Sequence, residues 1–115
     1  MIELTQTQVY LAREPVDMRR QIDGLALLTQ EILEQDPLSS QLFVFCNKGR
    51  DKLKALYWHN NGFCLLYKRL EKGCFQWPTA EEPSRTYSFR EFLWLLDGLK
   101  MDDLVLPASL SYSSV

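Results

Sequence analysis

Few side chains in this sequence could carry out chemistry, and their spacing decides which chemistry is open to it. There is one histidine, His59, and there are three cysteines, Cys46, Cys64 and Cys74. Nucleophilic catalysis needs a serine or cysteine beside a base; His59 would have to be that base, and no G-x-S-x-G turn presents a serine to it. The cysteines form no C-x-x-C pair and a single histidine cannot complete a Cys2His2 set, so zinc and dithiol chemistry have no footing. Buried structural thiols are the expectation for all three. Metal-assisted phosphoryl transfer needs carboxylates converging in a dry pocket, whereas Glu31, Glu34, Glu81, Glu82, Asp102 and Asp103 fall in helix turns and loops, where water solvates them. The reading is a protein without catalytic residues, metal or cofactor.

The charge pattern is more informative. Between residues 47 and 73 stand Lys48, Arg50, Lys52, Lys54, Lys68, Arg69 and Lys72 against Asp51 and Glu71, a local net of +5 inside a chain whose total is -2. Cations of this kind neutralise phosphates, and aromatic rings stack on exposed bases; Tyr57, Trp58, Tyr67 and Trp77 lie in or just beyond the same runs. Two readings stand side by side. In one, the seven cations contact nucleic acid and the four aromatics stack on bases or bind a partner. In the other, the aromatics are core and the cations guard edge strands against aggregation. Arg19-Arg20 extends the patch from a helix start, where the dipole disfavours cations and a partner would explain them.

The elements that must position these residues follow from periodicity. Val9 to Ala12 is a short β-type run closed by Arg13-Glu14-Pro15. Asp17 occupies an N-cap position ahead of Met18, Ile22, Leu25, Leu28, Ile32 and Leu33, which return near the helical period and predict a helix over about 18–35 that ends at Pro37. Gly24 within it implies close approach by another backbone. Four β-rich runs come next, at 42–46, 53–58, 63–69 and 74–77, joined by turns short enough to require antiparallel neighbours. Runs apolar on both alternating faces imply cover on each side. Ser88 and Glu91 form a capping box ahead of Phe92, Leu93, Leu96 and Leu99, which predicts a second helix over about 89–99. The expected fold is α+β, an antiparallel meander of about five strands packed with two helices.

At 115 residues the chain fits one domain. Residues 1–103 are expected to form it, with 104–115 as a flexible tail. No apolar run approaches the ~20 residues of a membrane helix, and the start lacks the pattern of a signal peptide, so a cytoplasmic, non-membrane protein is expected.

Several motifs together resemble a known family. These are Asp17-Met18-Arg19-Arg20 with Asp23-Gly24-Leu25, Leu42-Phe43-Val44-Phe45, Arg50-Asp51-Lys52-Leu53-Lys54, Tyr57-Trp58 and Gly62-Phe63. The most specific is Tyr67-Lys68-Arg69-Leu70-Glu71-Lys72-Gly73-Cys74-Phe75-Gln76-Trp77-Pro78. The chain resembles, from about Val9 to Leu99, the small accessory proteins commonly called TnpB of bacterial transposons of the insertion sequence 66 family, which are unrelated to the RNA-guided nucleases of the same name. Lys48-Gly49 departs from it, standing where relatives look more arginine-rich. The resemblance implies a non-catalytic factor in transposition. Its implied partners are transposon DNA, a DDE-type transposase and a second small accessory protein of the same element. The alternative is an adaptor that binds one of those proteins without touching DNA.

Overall fold

The computed structural model describes residues 6–78 and 86–99. The elements run β1 (Gln8–Leu11), α1 (Ile22–Glu31), β2 (Leu42–Cys46), β3 (Lys52–His59), β4 (Gly62–Arg69), β5 (Tyr87–Ser88) and α2 (Phe89–Leu96). The strands form one sheet in the order β4-β3-β2-β1-β5. The fold is α+β, with two helices on a mostly antiparallel sheet. The expected residues 104–115 of the tail, and Glu81, Glu82, Asp102 and Asp103, lie outside the described residues.

Strands β2, β3 and β4 make the expected meander. The turn between β3 and β4 is only Asn60-Asn61, with His59 opposite Gly62 and Asn60 in the left-handed region (φ 59), which asparagine tolerates. The sheet departs from expectation in two places. First, β1 pairs with β2 in parallel, Val9 opposite Leu42. A parallel neighbour requires a crossover, and the chain between β1 and β2 supplies it with α1. Second, residues 74–77 form no strand; the fifth strand is Tyr87–Ser88, antiparallel to β1. The Phe75 amide instead donates to the Arg50 carbonyl (2.7 Å), and the Trp77 indole N–H donates to the Ala12 carbonyl (3.0 Å), which ties this segment across the sheet end.

All five residues of β2 are buried because both faces are covered. Val9, Leu42, Val44, Cys46, Leu53, Ala55 and Tyr57 pack with Phe92 and Leu95 of α2 and with Phe75. On the opposite face Phe43, Phe45 and Leu56 pack with Leu25 and Leu28 of α1. Each of the valine, leucine and phenylalanine side chains contributes about 1.5–3 kcal/mol on burial. Thus α1 and α2 sit on opposite sides of a central sheet.

The helices differ in how well local signals define them. In α2 both halves of the capping box are made: Glu91 N–H donates to Ser88 Oγ (3.1 Å) and Ser88 N–H to Glu91 Oε1 (2.8 Å). It ends in a Schellman turn, with Gly98 at φ 84, the Gly98 amide on Leu95 and the Leu99 amide on Trp94. By contrast, α1 is shorter than the predicted 18–35. Asp17 does not cap it; Asp17 Oδ1 accepts the Arg19 amide (2.8 Å) and its carbonyl accepts the Arg20 amide (3.1 Å), which makes a separate turn. A Cβ added at Gly24 would meet the Arg20 side chain, 3.3 Å from its Cβ, and not another backbone. Of the cysteines only Cys46 is buried, while Cys64 and Cys74 are exposed, and all three are free thiols. Among the described residues no helix is long and apolar enough to cross a membrane.

Candidate nucleic-acid interface

The turn between β2 and β3 is built by Asn47. Its Oδ1 accepts the amides of Asp51 (3.1 Å) and Lys52 (3.0 Å), and its Nδ2 donates to Asp51 Oδ1 (2.8 Å). That amide contact is also the main reason the Asp51 carboxyl titrates below the usual carboxylate range. Arg50 completes the turn in the left-handed region, φ 61. On the other side, the segment after β1 keeps running beside β2: the Ala12 amide bonds Val44 O and the Val16 amide bonds Cys46 O, both at 2.9 Å. Residues 15–19 are thereby laid next to the turn, and an open groove of about 670 Å3 forms between them. Arg19, Lys48, Lys52 and Tyr67 line it, together with Asp17, Met18 and Asn47.

The seven cations do not share one surface. Register places Lys52 opposite Arg69 and Lys54 opposite Tyr67 on the α1 side of the sheet, and Lys68 opposite Leu53 on the α2 side. Two of the seven are taken up by the fold. Lys54 is 5% exposed, its ammonium donating to the carbonyls of Met18 (2.9 Å) and Arg20 (2.8 Å). Lys68 donates to the Leu96 carbonyl at the end of α2 (2.7 Å), where a cation meets the negative end of the helix dipole. Arg50 points inward over the Trp77 ring, 5.3 Å from its centroid, and its Nη1 is buried without a hydrogen-bond partner. Beside it, burial pushes the Cys46 thiol up and the Arg50 guanidinium opposes that shift. Arg69 pairs with Glu71 at 2.9 Å, which raises its pKa further. Lys48 and Lys72 are exposed, and Lys52 lies 3.6 Å from Asp51.

Of the four aromatics, Tyr57 is buried in the core. Trp58 stacks edge-on against Phe63 at the far end of the hairpin, and Trp77 is held by Ala12 and Arg50. Tyr67 alone among them is exposed and lines the groove. Arg19 enters as a groove residue, its guanidinium paired with Asp17 (2.7 Å). The hydrogen bond from the Arg19 side chain, followed by that from its amide, holds the Asp17 carboxyl down at about 2, so it is ionised at neutral pH. His59 is exposed at the end of β3, its ring 6.2 Å from that of Tyr57, and no three His, Cys, Asp or Glu among the described residues could hold a metal ion.

A family model described as IS66 Orf2 like protein matches residues 7–105, and so spans every element of the sheet and both helices. The chain belongs to the IS66 Orf2-like family. That membership gives it an accessory role related to transposition. Two relatives, both from Sinorhizobium fredii (strain NBRC 101917 / NGR234), show how far the likeness reaches. The uncharacterized protein y4hO is 38% identical over 92 residues, 80% of this chain and 80% of that one. The uncharacterized protein y4jC is 37% identical over 92 residues, 80% of this chain and 79% of its own length. No solved structure matches. In this IS66 Orf2-like chain the Tyr67-to-Pro78 motif has a structural meaning: it joins the groove tyrosine, the α2-capping Lys68 and the Trp77 anchor in one stretch.

Proposed function

We propose that this IS66 Orf2-like protein is a non-catalytic transposition factor that contacts transposon DNA beside the transposase, through the end of the sheet where the β2–β3 turn meets residues 15–19. The observation that carries the reading is the convergence of Arg19, Lys48 and Lys52 on one open groove. Arg69, across the register from Lys52, extends the cationic surface and Lys72 is exposed, whereas Lys54 and Lys68 serve the fold and Arg50 faces inward. Asp17 offsets part of the charge, so about two phosphates are neutralised at once.

Counterion release then gives log K a slope of about -2 against log salt on duplex DNA. Fluorescence anisotropy with transposon-end DNA across a salt series measures it, and changing Arg19, Lys48 and Lys52 together to glutamine should abolish the binding without unfolding the protein. The adaptor reading is favoured by a different observation, the exposure of Leu66 on the edge strand β4 and of Leu93 and Leu99 at α2. Absence of salt-sensitive DNA binding at low ionic strength would leave the adaptor in place of the DNA factor.

A further inference from the structure

Phosphate neutralisation alone gives no reason for an open aromatic ring in the groove. Tyr67 is 49% exposed on the edge strand β4, although its neighbours across the register are buried or half-buried. Its ring is braced from one side by the Lys54 ammonium, 5.4 Å from the centroid. That ammonium is itself fixed by the carbonyls of Met18 and Arg20, from the same segment that forms the groove wall. The ring is therefore a platform held in place before any ligand arrives, and little ordering is needed on binding. Within a duplex the faces of the bases are stacked on one another, so a duplex has nothing to offer such a platform except at its ends. An unpaired base has a free π face.

We infer that this groove is a site for an unpaired nucleotide of single-stranded DNA, its base stacked on Tyr67 and its flanking phosphates beside Lys48 and Lys52. The inference rests on the DNA reading above and narrows its substrate. Lys48 forms no ion pair among the described residues and is free for phosphate, while Lys52 keeps a long contact with Asp51. The groups that could read a base edge are already engaged: Asp17 holds Arg19, and Asn47 holds Asp51 and Lys52. Recognition at this site is accordingly sequence-tolerant, set by stacking and charge.

The test compares the intact chain on a short labelled single strand and on the blunt duplex of the same sequence, at one low salt concentration. Stacking of one base gives the single strand an advantage of roughly ten-fold. Tyr67→Leu should remove that advantage and leave duplex affinity within about two-fold, and Tyr67→Phe, which retains the ring, should keep it. A strand carrying 2-aminopurine should be quenched on binding to the unaltered protein, a readout that needs no variant. Equal affinity for the two forms, unquenched 2-aminopurine, or a Tyr67→Leu loss shared equally by both forms would overturn the inference while the DNA reading stands. Binding to neither form would overturn both.

Discussion

Lys52 and Lys54 sit two residues apart on one face of one strand, and their fates differ. The K-L-K spelling puts both on the same side of β3 but cannot say which ammonium meets water. That is settled by the carbonyls of Met18 and Arg20, 36 and 34 residues earlier in the chain, which close over Lys54. Replacing Lys54 with methionine keeps the stem and leaves those carbonyls without their donor, a loss of about 1–3 kcal/mol. The melting temperature should fall by several degrees. Lys52→Gln, at a surface position, should stay within about 0.5 kcal/mol. Equal melts for the two variants would refute the capture of Lys54. The same long-range logic explains why Tyr57 and Trp77 look like partner aromatics in the sequence but are structural in the fold, and why Tyr67 alone opens to the groove.

Legibility at the scale of elements follows the reach of the signals. The meander from β2 to β4 and the start of α2 are written locally: two-residue periodicity, turns of a few residues, and a serine three places ahead of a glutamate. Those readings agree with the structure. Signals that depend on distant partners were not legible. The parallel pairing of β1 with β2 depends on how α1 crosses over, and residues 74–77 have strand-like composition but spend their hydrogen bonds on Arg50 and on Ala12. Asp17 shows the same ambiguity on a smaller scale, since an Asx turn and a helix cap begin alike. The capping box provides the clearest test of a local signal. Ser88→Ala removes the acceptor of the Glu91 amide and should cost about 1 kcal/mol. A thermal melt lowered by several degrees, with DNA binding intact, is the expected outcome. An unchanged melt would mean that α2 does not depend on that cap.

For the molecule as a whole, the positive middle that stood out in the sequence is divided by the fold between structural duty and one sheet end. Two helices cover the two faces of the sheet, which leaves the β2–β3 turn and the segment before α1 as the place where charge, aromatic surface and concavity coincide. Acids are present there too, but they are committed: Asp17 to Arg19, and Asp51 to Asn47 and Lys52. Phosphodiester cleavage by metal ions needs carboxylates that converge and are available to metal, because the ions must hold both the attacking and the leaving oxygen. A pair already neutralised by guanidinium and amide partners does not supply this. Supercoiled plasmid incubated with the purified protein and magnesium or manganese should therefore stay intact at protein concentrations that give DNA binding. Nicking that copurifies with the protein and vanishes in Asp17→Ala or Asp51→Ala would instead make these carboxylates metal ligands, and the protein an enzyme.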